Sequence, residues 1–161
     1  MTAPRPMTTN EPVDSDIDLR SPAQWQEAWR GQGPVVAVVA LGGAIGATAR
    51  YAASLLWPIQ NPGFPWTTLL VNVVGCAVIG VFMVLISEVW TAHRLVRPFF
   101  GTGVLGGFTT FSTYAVEIER LVDAGEARTA LAYLAATLFA ALGSVGLAVA
   151  LTRRVLAWRQ R

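Results

Sequence analysis

The sequence contains no lysine, a single cysteine, a single histidine and few charges of either sign. A lone Cys76 excludes a disulfide within the chain, and its place in an apolar run reads as packing. His93 stands in a polar loop with no cysteine or carboxylate cluster beside it, so a zinc-type site is excluded. Only 14% of the 161 residues are charged, where soluble domains carry about 25%. Mean hydropathy is +0.48. A soluble domain of this size has no core large enough to hide so much apolar surface.

Four long apolar runs are what the chain has instead. They cover residues 34–57, broken only by Arg50; 66–87, uncharged; 98–116, between Arg97 and Glu117; and 129–152. A helix needs about 20 apolar residues to cross a bilayer core, and in lipid the backbone must satisfy itself within each run. The expected fold is therefore an all-α integral membrane protein with four transmembrane helices. Residues 1–33, with four prolines and five acids, predict a disordered or interfacial tail. Trp25 and Trp29 would let a short helix there rest at headgroup level. Residues 153–161 form a basic C-terminal tail.

Every basic residue is arginine, and they are unevenly placed. Arg20, Arg30, Arg94, Arg97, Arg153, Arg154, Arg159 and Arg161 fall on one expected side, Arg120 and Arg128 on the other. Basic residues near span ends stay in the cytoplasm, which predicts cytoplasmic termini in a cell membrane.

Polar groups inside spans mark function more often than not. Arg50 either snorkels to an interface or stands at the mouth of an aqueous vestibule. Asn72 either bonds across helices or points an N–H at a permeating anion. The third run is the densest: "GTGVLGGFTTFSTYAVE" places Gly101, Gly103, Gly106 and Gly107 before Phe108, Phe111 and Tyr114, with Thr109, Thr110, Ser112 and Thr113 between the rings. Glycine costs about 1 kcal/mol per site in a helix interior. Four together predict a helix broken at mid-membrane; the competing reading is close packing through small residues. Tyr133 and Thr137 share a face of the fourth span. No carboxylate lies within any run, which disfavours proton coupling and acid-based proteolysis. Amides, hydroxyls, ring edges and one arginine donate hydrogen bonds, and that suits an anion.

Together "GGAIGATARY", "TLLVNVVG" and "GVLGGFTTFSTYAVE" resemble the CrcB/Fluc family of small fluoride channels, over roughly residues 35–152. The resemblance implies antiparallel dimers of four-helix subunits that let fluoride leave the cytoplasm passively, with no enzymatic activity and no nucleic-acid partner. It places Phe111 and Tyr114 at the two aromatic positions of the pore and Asn72 at its amide. Ser112, Thr113, Tyr133, Thr137 and Arg50 would complete the lining. The carbonyls of Gly106 and Thr109 would hold a structural sodium ion. The second aromatic is usually Phe, so Tyr114 adds a hydroxyl. The arginine bias predicts one fixed orientation and hence an inverted paralogous subunit as partner, the alternative being a second copy inserted the other way. The competing functions are a four-helix secondary exporter of the multidrug type and a membrane scaffold.

Overall fold

The computed structural model describes residues 22–58, 63–90 and 93–159, with side chains from residue 32 onward. The expected headgroup role of Trp25 and Trp29, most of the tail, Arg20 and Arg161 lie outside the described residues or side chains. Two compact units are distinguished, Met1–Gly33 and Pro34–Arg161. In the first, residues from Pro22 onward are helical. The second carries the polar groups singled out in the apolar runs.

All its regular structure is helical, with no strand among the described residues. Helix α1 is Pro22–Leu56. Helix α2, Trp66–Val84, ends in a π-helical turn, Leu85–Val89. Helix α3 begins as a π-helix over Pro98–Leu105, opened by Pro98 at a position where no N–H is needed, and closes with one α-helical turn, Gly106–Phe108. Helix α4 is Ser112–Asp123 and α5 is Ala127–Arg159, so the basic tail through Arg159 continues the last helix. Three stretches are long and apolar enough to span a membrane: Gln32–Leu56, Trp66–Val89 and Ala127–Arg159. Only 11% of the apolar window is buried in the first and last, and 33% in the middle one. Faces this apolar and this uncovered require a non-aqueous surrounding. The protein is an all-α, multi-pass membrane protein.

The expected third span is not one helix. Between α3 and α4 the chain leaves helical geometry at Thr109, which is extended (φ −75°, ψ 157°). The break therefore falls two residues beyond Gly107. Gly106 keeps helical angles (φ −65°, ψ −37°), so it does not lie in the break as expected. Gly103 and Gly107 serve packing instead, together with Gly42, Gly43 and Gly46 on α1. A Cβ on Gly103 would sit 3.0 Å from the Gly42 Cα, and one on Gly46 would strike the Val104 carbonyl. Side chains at these positions would force two backbones apart, so glycine is what lets α1 and α3 approach this closely.

Helices α1 and α3 run in the same direction, since Gly42 meets Gly103, Gly46 meets Val104 and Arg50 reaches Gly107. Helices α2 and α5 likewise run together: Ser144 donates to the Val73 carbonyl at 2.8 Å and Gly80 lies against Val145. Farther along, Arg153 pairs with Glu88 at 2.8 Å. Arg94, Arg97, Arg153, Arg154 and Arg159 consequently share one end of the bundle. At the other end Leu69, Leu121, Ala130 and Tyr133 form a small core, packed by Phe64, Tyr114 and Ile118.

Candidate functional site

The break is built by side chains from two directions. Thr109 Oγ1 turns back onto the Leu105 carbonyl at 2.9 Å, a bond that Thr makes readily at a helix end. Thr110 then lies across α2, where Asn72 grips its peptide on both sides. Asn72 Oδ1 accepts the Thr110 N–H at 2.8 Å and Asn72 Nδ2 donates to the Thr110 carbonyl at 2.9 Å. The Thr110 hydroxyl accepts the Thr113 N–H at 3.2 Å, supplying α4 with its starting cap. From α1, Arg50 Nε donates to the Gly107 carbonyl at 3.2 Å, placing a cation at the end of α3 where helix carbonyls are unsatisfied. A helix end inside a membrane protein needs such partners because lipid offers none.

Beside the break lies an open cleft of about 510 Å³. It gathers six of the residues singled out by the sequence: Asn72, Gly106, Thr109, Phe111, Tyr114 and Thr137. Phe111 is 78% exposed. Its ring centroid lies 5.7 Å from that of Tyr114, tilted by 55°. The Tyr114 hydroxyl donates to the Leu134 carbonyl on α5 at 3.1 Å, so the group added by tyrosine is engaged on the helix behind. Thr137 is 6% exposed and its Oγ1 has no hydrogen-bond partner.

Four expected residues are placed differently. Arg50 and Thr113 border a second, smaller cavity of about 130 Å³ with Ser54, Thr67 and Thr68. Thr110 separates it from the main cleft and lines both. Ser112 is exposed at the start of α4, its hydroxyl 3.3 Å from that of Thr110, and lines neither cavity. Tyr133 is fully buried behind the cleft, with its ring 5.2 Å from that of Tyr114.

Sequence reasoning missed Glu117. It bounds the third apolar run, yet it is 4% exposed. Thr68 Oγ1 and Tyr133 OH each donate to one of its carboxylate oxygens at 2.6 Å, tying α2, α4 and α5 together. No carboxylate lies within the apolar runs themselves, yet Glu117, at the edge of the third, is enclosed by them. Its signal was present as spacing. Thr68/Asn72, Thr113/Glu117 and Tyr133/Thr137 are three i, i+4 polar pairs on α2, α4 and α5.

Residues 37–150 match the family model of CrcB-like proteins, described also under camphor resistance. A fluoride-specific ion channel, FluC 2 of Streptomyces avermitilis, is 71% identical over 161 residues, covering the whole of both chains. FluC 1 of Streptomyces coelicolor, also a fluoride-specific ion channel, is 68% identical over 88% of this chain and 92% of its own. FluC 2 of Nocardia farcinica is 50% identical over 74% of this chain and 85% of its own.

Proposed function

The chain belongs to the CrcB family, and we propose that it is a fluoride-selective channel through which fluoride leaves the cytoplasm down its gradient. The observation that carries this reading is the cleft itself: two aromatic rings, Phe111 and Tyr114, line it together with a buried hydroxyl, Thr137, that lacks a partner. An aromatic ring has a positive rim. Ring rims and a hydroxyl proton together replace part of the hydration that a small anion gives up on entry. Asn72 keeps one amide proton beyond the one given to Thr110, since a carboxamide carries two.

Helices α3 and α4, end to end, make the remaining pass, giving four. Phe111 is too exposed on one chain for the path to be shielded from lipid, so a second subunit completes it, antiparallel to the first. Five of the described arginines share one end, which supports a fixed orientation with cytoplasmic termini and an inverted paralogous partner. A homodimer would need this chain to insert both ways.

The carbonyls of Gly106 and Thr109 fit a sodium ion. Both residues line the cleft, and neither carbonyl receives a backbone donor among the described residues. Carbonyl oxygen suits a hard monovalent cation, and sodium bound there supplies a fixed positive charge beside the anion path. The exporter reading needs a titrating carboxylate on the path. Glu117 is enclosed by Thr68 and Tyr133 and does not line the cleft.

Fluoride efflux from liposomes containing the purified chain, alone and with a paralogous subunit, tests the proposal. Fluoride should leave while chloride stays, and Phe111→Ile should cut the fluoride rate at least tenfold. Equal leakage of both halides would refute it.

A further inference from the structure

In an unbroken helix the Thr110 N–H would bond the Gly106 carbonyl, and the Thr110 carbonyl would take the Tyr114 N–H. Neither bond is present. Both Thr110 groups go to Asn72 instead, through the paired bonds that a neighbouring strand would give an extended residue. The capture has a consequence on the other side of the peptide. Gly106 keeps its helical angles but has lost its donor, so its carbonyl is free. Three residues on, the Thr113 N–H is held by the Thr110 hydroxyl. The Thr109 carbonyl is thereby free as well. Gly106 has open space beside it, its nearest neighbour being the Gly101 oxygen at 3.9 Å from a would-be Cβ.

From this geometry we infer that Asn72 is a positioning residue for a monovalent-cation site: by holding the Thr110 peptide away from α3, it releases the Gly106 carbonyl, alongside that of Thr109, to the ion. The inference rests on the sodium reading above and gives Asn72 a task separate from contact with fluoride. What matters for the cation is the acceptor, Oδ1, because it is the acceptor that removes the Thr110 N–H from Gly106. Asn72→Asp keeps that acceptor. Asn72→Leu and Asn72→Ala delete it, and the Thr110 N–H can return to the helix.

The purified full-length protein in detergent is titrated with sodium chloride against N-methylglucamine chloride at constant ionic strength, and Tm is followed. A ligand that binds only the folded protein raises its Tm. The wild type should show a sodium-specific rise, and Asn72→Asp should keep it within about threefold in the midpoint concentration. Asn72→Leu and Asn72→Ala should need at least tenfold more sodium or show no rise. A sodium response equal to wild type in Leu or Ala overturns the inference while leaving the cation site standing. If neither apolar variant folds, Asn72→Asp decides: retention supports the inference and loss overturns it. Absence of any sodium-specific rise in the wild type overturns the cation reading itself, and the inference with it.

Discussion

Tyr114 and Glu117, close to the break, each have definite hydrogen-bond partners, and removing either has a definite consequence. Tyr114→Phe deletes only the bond to the Leu134 carbonyl. A hydrogen bond of this kind contributes about 1 kcal/mol net, so Tm should fall slightly while fluoride efflux persists, because the ring remains. Glu117→Ala is harsher. It leaves two buried hydroxyls, Thr68 and Tyr133, without their acceptor, at a cost of about 2–4 kcal/mol from desolvated groups left unpaired. Loss of monodisperse protein or a large drop in Tm would show it; an unchanged Tm would mean the carboxylate bridge contributes nothing. Glu117 was hard to read from sequence for a physical reason. It is followed by Glu119, Asp123 and Glu126, a pattern that resembles a solvated end. Only the helical phase, which sets Glu117 on the face of Thr113, distinguishes it from its neighbours.

The helices repeat that ambiguity with glycine. A glycine cluster permits either a break or a close approach, and sequence cannot separate these uses without knowing which backbone lies opposite. The four glycines were expected to mark the break. In the structure Gly103 and Gly107 face α1, and the break falls where two threonines meet an amide from another helix. Long-range capture by Asn72 has no local signature, which is why the position was misread while the existence of a discontinuity was legible. Gly46→Leu should separate α1 from α3, costing about 3 kcal/mol or more from overpacking against backbone, seen as low yield or a lowered Tm. Gly143→Ala should be neutral or stabilising by up to about 1 kcal/mol, since nothing lies within 4 Å of its added methyl.

For the whole molecule, membrane class follows from composition alone, and the runs near residues 66–87 and 129–152 reappear as α2 and α5 because uninterrupted apolarity leaves little choice. On the proposed reading a second subunit covers the exposed Phe111, and its identity does not follow from one sequence. The arginine asymmetry bears on that missing surface. Reporters fused to the C-terminus should all report from the cytoplasmic side; equal numbers on both sides would instead favour two copies of this chain inserted oppositely. Helix α5 sharpens the point. Its 33 residues extend about 50 Å at 1.5 Å per residue, well beyond the roughly 30 Å of hydrocarbon, and the overhang carries Arg153, Arg154 and Arg159 as a rigid mast. Trypsin added outside sealed vesicles would clip that mast on every chain, on none, or on half of them, and the cut fraction counts directly how many molecules face each way.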